Sequence, residues 1–226
     1  MKIIDFLFPK SCLTCGKSGS YICSSCIKKV GSPKPICCVC ERPSVDFMTH
    51  SKCKKKLTLD AIVSVFRYEG VIRKAIIKLK YSFAKEIAND LAKCTIDKIV
   101  NNHLILPQKA ILIPIPLFWY RENWRGFNQV EEVGKLLTGK LGWVFNTNIL
   151  IRKSFRQPQT ELKGDKRREN IRGVFSFNKN CTPIVSCHKS IVLFDDVLTT
   201  GSTMKEAGKV LKRNGFTNIW GLTISS

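Results

Sequence analysis

Residues Ile191 to Thr203, IVLFDDVLTTGST, carry the densest chemistry in the chain. Four apolar residues, Ile191 to Phe194, lead into adjacent carboxylates, Asp195 and Asp196. Val197 and Leu198 follow, and then the hydroxyls of Thr199, Thr200, Ser202 and Thr203 around Gly201. This order predicts a buried strand that presents two acids at its C-terminal end, followed by a turn that opens a helix. Backbone N–H groups at a helix start, reinforced by the helix dipole and by hydroxyls, suit a phosphate monoester, and Gly201 lets the backbone approach it. The acids cannot attract a phosphate by charge. They can accept hydrogen bonds from sugar hydroxyls, directly or with a Mg2+ ion sharing the load. A ribose 5-phosphate satisfies both halves. A Ser/Thr-capped helix is the plainer alternative, but a cap needs one hydroxyl, not four with two acids.

The second group of chemical residues is the cysteines. The chain has 11 of them, and most lie near its start as Cys12-x-x-Cys15, Cys23-x-x-Cys26 and Cys37-x-x-Cys40, with His50-x-x-Cys53 completing the series. Paired knuckles in a chain without a secretion signal indicate metal rather than disulfides. Two knuckles close a tetrahedron around Zn2+. Sequential pairing predicts one site from Cys12, Cys15, Cys23 and Cys26 and a second from Cys37, Cys40, His50 and Cys53. Cys38 competes with Cys37 for the second site, although only Cys37 keeps the two-residue spacing to Cys40. Sites with four protein ligands are structural rather than catalytic, and they would fold a segment with little core of its own. Reduced, buried structural cysteines are the other reading. Cys94, Cys181 and Cys187 have no partner at useful spacing and read as plain residues.

These groups need a scaffold, and 226 residues at 44% hydrophobic content can bury a full core with room for a small second domain. Lys and Arg number 38 against 17 Asp and Glu, a formal charge of +21 that runs through both halves of the chain. Such an excess points to polyanionic partners, most simply nucleic acid, with membrane headgroups or phosphorylated metabolites as alternatives and a merely solvated surface as the bland one. The N-terminal MKIIDFLFPK has no signal-peptide pattern, and no apolar stretch is long enough for a membrane span, so a cytoplasmic location is expected.

The composition changes at Leu57, which predicts domains over residues 1–56 and 57–226. Ala61 to Tyr68 reads as a strand, and Val71, Ile72, Ala75, Ile76 and Leu79 recur at helical spacing with a basic outer face. A strand over Ala110 to Ile115 runs into PLFWYRENWRGFNQ, and a helix is expected from about Asn128 to Leu141. This places Arg121, Arg125, Asn128 and Gln129 at the C-terminal edge of a sheet, where α/β folds bind ligands. The interleaved aromatics would equally stack bases of a single strand, or simply pack. Arg152 to Arg172 is basic, lacks apolar periodicity and reads as a long loop. Val174 to Phe177, Ser190 to Phe194 and Thr217 to Ile224 read as strands and Ser202 to Asn214 as a helix. Strands alternating with helices imply an α/β fold with a mainly parallel sheet.

The stretch Ile191 to Thr203 resembles the phosphoribosyl-pyrophosphate (PRPP) signature of type I phosphoribosyltransferases. The cysteine-rich front resembles a double zinc ribbon. The LKY segment at Leu79 to Tyr81, the RGFNQ motif at Arg125 to Gln129, and Gln159, Leu162, Arg167, Arg168 and Asn170 extend a resemblance over nearly the whole chain to the ComF family of ComFC- and GntX-like proteins. The resemblance implies a type I phosphoribosyltransferase-like sheet flanked by helices and preceded by a small zinc-ribbon domain. It implies PRPP with Mg2+ as ligand: Asp195 and Asp196 on the ribose, Val197 to Thr203 on the 5-phosphate, and Arg121 and Arg125 on the pyrophosphate. Lys163 or Arg167 would steady pyrophosphate if the basic loop covers it, while a solvated charge run explains them as well. His50 departs from the family, which more often has cysteine there. Two functions follow. One is transfer of phosphoribose to an acceptor that no motif names. The other is DNA handling in uptake or recombination, with single-stranded DNA and uptake or recombination proteins as partners and the PRPP pocket kept for binding.

Overall fold

The computed structural model describes residues 10–81, 85–117, 128–153, 173–181 and 190–226. Arg121, Arg125, Cys187 and the basic stretch 154–172 lie outside the described residues. The body is built on a five-stranded sheet. Its strands are β1 (Ala61–Phe66), β2 (Ile111–Pro114), β3 (Val144–Phe145), β6 (Ser190–Val197) and β7 (Asn218–Ser225), in the order β1-β7-β6-β2-β3, and every adjacent pair is parallel. A separate antiparallel pair joins β4 (Leu150–Arg152) to β5 (Phe175–Phe177).

The near-continuous apolar runs of these strands follow from burial on both faces. On one face Val63, Leu112, Val192, Phe194 and Leu222 pack with helices α2 (Gly70–Tyr81), α3 (Lys85–Asn101) and α4 (Gln129–Leu141). On the other, Ile62, Ile113, Ile191 and Leu193 pack with α5 (Ser202–Arg213) and the β4–β5 pair. A Cβ at Gly221 of β7 would overlap the Met204 sulfur, so the glycine lets α5 lie close on the sheet. No helix among the described residues is long and apolar enough to cross a membrane.

The connections create the site. After β2 the chain passes through α4 to β3, on one side of the β2–β6 pair, and after β6 it passes through α5 to β7, on the other. Chain directions therefore diverge at the C-terminal ends of β2 and β6, which leaves a crevice there, the usual ligand site of parallel sheets. The central strand also runs further than its apolar core suggests. β6 continues through both acids to Val197, because Asp195 lies in register with Thr223 and Val197 with Ser225. Consecutive strand residues face opposite ways. Asp196 thus follows Phe194 onto the α2–α4 side, and Asp195 follows Leu193 onto the α5 side.

The cysteine-rich segment contains a short helix, α1 (Ser24–Ile27), and is fused to the body. Cys12, Cys23 and Cys26 share the core of α2 and α3, whereas Cys38 and Leu59 belong to the core of α5.

Candidate functional site

A cleft of about 320 Å3 opens at the crevice between β2 and β6. Tyr68, Lys80, Ile115, Pro116, Leu117, Gln129, Arg152, Asp195, Asp196, Val197, Thr199 and Thr203 line it. Its volume is in the range of small-molecule sites. Asp196 is held inward: Lys80 Nζ lies 2.8 Å from its Oδ2, and Gln129 Nε2 donates to the same oxygen at 3.3 Å. Asp195 Oδ1 accepts from the Asp196 N–H at 2.8 Å. Burial, and next the charge of Asp196, push the Asp195 carboxyl up to about 7, although Lys80 pulls it down. A site that holds two adjacent carboxylates so uneasily is suited to a cation or to hydroxyl donors.

The loop after β6 supplies the opposite character. Gly201 takes a left-handed conformation, φ 68°, and stands at the N-cap of α5. With no side chain there, the first-turn amides receive no cap from it, and the Ser202 N–H meets Thr200 Oγ1 at 3.4 Å. Thr200 Oγ1 and Ser202 Oγ are 2.8 Å apart, and Leu198 N–H donates to Ser225 O at 2.8 Å, which ties the loop to the sheet edge. Lys205 Nζ reaches Thr200 O at 3.4 Å. Of this loop Thr199 and Thr203, at the positive end of the helix, line the cleft with the acids, while Leu198, Thr200 and Gly201 line a neighbouring pocket beside Cys38 and Ile62 that Thr199 also borders. Gln129 joins these residues as its place at the C-terminal sheet edge suggested, whereas Lys80, Tyr68 and Arg152 line the pocket although the sequence reading gave them no place in it. Gln129 closes the RGFNQ motif and Lys80 sits in LKY, so the motifs held the signal.

The cysteines gather in two groups. Cys12, Cys15, Cys23 and Cys26 form one, and Cys37, Cys40, His50 and Cys53 the other, with the ligand atoms of each group within 4.8 Å of one another. Cys15 Sγ and Cys23 Sγ are 3.6 Å apart, close to the ~3.8 Å edge of a tetrahedron with metal–sulfur bonds of about 2.3 Å. The knuckles repeat. Cys12 N–H bonds Lys17 O and Gly16 N–H bonds Cys12 O; Cys37 N–H bonds Arg42 O and Glu41 N–H bonds Cys37 O, all at 2.9 Å. Gly16 (φ 74°) and Glu41 (φ 59°) occupy the same left-handed position. Burial raises the first thiol of each cluster, but backbone amides outweigh it, holding Cys12 and Cys37 down at about 6. Cys26 is pushed up to about 12 by the neighbouring thiols Cys15 and Cys23, and Cys53 to about 11 by burial and then Cys40. A bound cation relieves that crowding of thiolates.

His50 Nε2 lies 3.0 Å from Pro43 O, which can only accept, so Nε2 carries the proton and Nδ1, 3.3 Å from Cys40 Sγ, keeps its lone pair for metal. Cys38 turns away to Thr49 Oγ1 at 3.2 Å, which leaves Cys37 in the cluster. Both donor sets fit Zn2+ in closed, structural sites.

Residues 3–57 match the double zinc ribbon domain family. Most of the chain is similar to curated proteins. It is 30% identical over 203 residues to the DNA utilization protein YhgH of Escherichia coli O157:H7, covering 86% of this chain and 85% of the relative. It is 30% identical over 211 residues to competence protein F of Haemophilus influenzae, covering 89% of each. With competence protein ComFC of Bacillus subtilis it shares 26% over 206 residues, 86% of this chain and 78% of the relative. Similarity of this extent, together with the zinc-ribbon match, makes the chain a member of the ComF family.

Proposed function

We propose that the chain binds PRPP with Mg2+ in the β2–β6 cleft and acts in the cytoplasm in DNA uptake or utilization, contacting single-stranded DNA. The observation that carries the ligand is the meeting, at the switch point of the sheet, of Asp195 and Asp196 with the uncapped start of α5. In this reading the amides and hydroxyls from Thr199 to Thr203 hold the 5-phosphate, and the two acids hold the ribose hydroxyls. Lys80 gives up part of its hold on Asp196 as the ligand arrives. Arg121 and Arg125, outside the described residues, are assigned to the pyrophosphate. Mg2+, when bound, would be held by the ligand with Asp195 and Asp196 and would neutralise part of the pyrophosphate charge. The DNA role rests on the relatives, named for DNA utilization and competence, and on the +21 charge.

Calorimetry with PRPP and Mg2+ tests the pocket. Saturable heat is expected from the native chain and none from Asp195→Asn/Asp196→Asn; no heat from the native chain at millimolar PRPP rejects the assignment. Turnover is the second reading, favoured by the cations Lys80 and Arg152 that line the cleft and could stabilise a departing pyrophosphate. An acceptor atom would bond to ribose C1 as the bond to pyrophosphate breaks. Pyrophosphate release from PRPP with a panel of nucleobases decides it, and release with none leaves binding alone.

A further inference from the structure

Helix α2 buries Val71, Ile72, Ala75, Ile76 and Leu79 and exposes Arg73, Lys74, Ile77 and Lys78. Arg73, Ile77 and Lys80 follow one another along a single row of the helix surface, with Lys74 and Lys78 in the adjacent row. The row ends inside the cleft, where Lys80 meets Asp196. At the other side α1 packs on α2, and the exposed Lys28 and Lys29 follow directly after α1. Among the described residues Lys28, Lys29, Arg73, Lys74 and Lys78 form no ion pair. Of the acids nearby in the fold, Glu69 Oε1 accepts from Gly31 N–H at 2.9 Å, Asp90 Oδ2 accepts from Tyr21 N–H at 2.8 Å, Glu86 pairs with Lys10 at 3.3 Å, and Asp97 lines a pocket beside Lys28, away from the outer face of α2. The outer face of α2 is therefore a cationic strip with no ion pair at Arg73, Lys74 or Lys78 among the described residues, leading from the side of the first ribbon into the crevice.

We propose that this strip, the outer face of α2 continued by Lys28 and Lys29, is the track on which single-stranded DNA lies, with its phosphates on Arg73, Lys74 and Lys78 and its path directed toward the cleft. The inference rests on the reading above that the chain contacts single-stranded DNA, and it assigns the surface. A strand fits better than a bilayer because the strip is a ridge only two side-chain rows wide that ends in a concavity, where a flat membrane cannot follow. Ile77, 36% exposed between the cations, offers an apolar contact for a base.

The test is fluorescence anisotropy of a labelled oligothymidylate titrated across salt concentrations. Each phosphate contact on a single strand contributes about 0.7 to the slope of log K against log salt. Arg73→Gln/Lys74→Gln/Lys78→Gln should therefore lower the slope by about 2 and weaken binding at least about tenfold at low salt. Lys34→Gln/Lys109→Gln/Lys140→Gln, at exposed sites elsewhere with the same loss of charge, should change binding far less. Circular dichroism checks that both variants fold. Equal losses in the two triples, or an unchanged slope in the first, overturn the track while leaving DNA binding intact. No binding by the native chain at low salt overturns both readings. If the first triple loses only its binding to phosphatidylglycerol vesicles, the strip is a membrane surface and the proposal fails.

Discussion

Replacing Lys80 by Met removes the ammonium that sits 2.8 Å from Asp196 Oδ2 while keeping a side chain of similar length. At an effective dielectric of about 20, two unit charges at that distance attract by about 6 kcal/mol, but most of this is offset by the cost of taking both out of water. The side chains are 25% and 12% exposed. The pair therefore lies between an exposed bridge, about 0–1 kcal/mol, and a fully buried one, whose breakage costs about 3–5 kcal/mol. A loss of about 2 kcal/mol is expected on that scale. The loss must depend on pH. With Lys80 gone, its downward pull on Asp195 is lost and only the Asp196 amide still favours the carboxylate, so a group that already stands at about 7 rises further. Its protonation then relieves the repulsion, and the destabilisation should be largest above pH 7 and shrink as pH falls. Urea unfolding of Lys80→Met, Asp196→Asn and Lys80→Met/Asp196→Asn at a pH on each side of 7 measures both effects. The double variant removes the orphaned charge and should recover much of the loss. Equal losses on both sides of pH 7, or a double variant no more stable than the sum of the singles, would refute the electrostatic account of the cleft.

Three further outcomes are expected. Asp195 has a folded-state pKa raised above the ordinary carboxylate value, so its favourable contribution is full below about 4 and lost as pH rises through about 7. Asp195→Asn should therefore stabilise the unliganded chain above pH 7 and flatten the pH dependence of its melting temperature; an unchanged profile would show that the carboxylate is not under strain. Elemental analysis should return about two zinc ions per chain, with Cys12→Ser and Cys53→Ser each removing one. Because Cys12 shares the core of α2 and α3, its replacement should also lower the melting temperature of the body; retention of both metals in either variant contradicts the ligand sets. Glu41→Gly relieves a side chain held at φ 59°, where the matching residue of the first knuckle is Gly16. It should raise stability by about 1 kcal/mol in thermal melts, and a loss would mean that the Glu41 side chain contributes more than its backbone costs.

What the sequence disclosed and what it hid divide along range. The acid pair and hydroxyl loop are contiguous from Asp195 to Thr203, so their meeting at the end of β6 could be read from order alone, as could the knuckles. Lys80 and Gln129 reach Asp196 from α2 and α4, and only the sheet order brings those helices to one crevice. The residue-by-residue alternation that sends Asp195 and Asp196 to opposite layers became visible only because β6 runs to Val197, past the end its apolar residues suggested. Helix α3 went unread because Ala88, Ala92 and Thr95 supply much of its buried face, and small residues give a weak apolar period. The choice of Cys37 over Cys38 was legible in the spacing to Cys40, but the hydrogen bond that turns Cys38 to Thr49 and the one from His50 to Pro43 that sets the imidazole's orientation are not encoded by spacing.

The account turns on where PRPP sits, and a crystal structure of the chain with PRPP and Mg2+ measures it most directly. The 5-phosphate is expected against the backbone of Thr199 to Thr203 at the start of α5, the ribose hydroxyls on Asp195 and Asp196, and Lys80 displaced from Asp196. Density for the ligand at another surface, or an empty crevice at saturating PRPP with Lys80 still on Asp196, would contradict it.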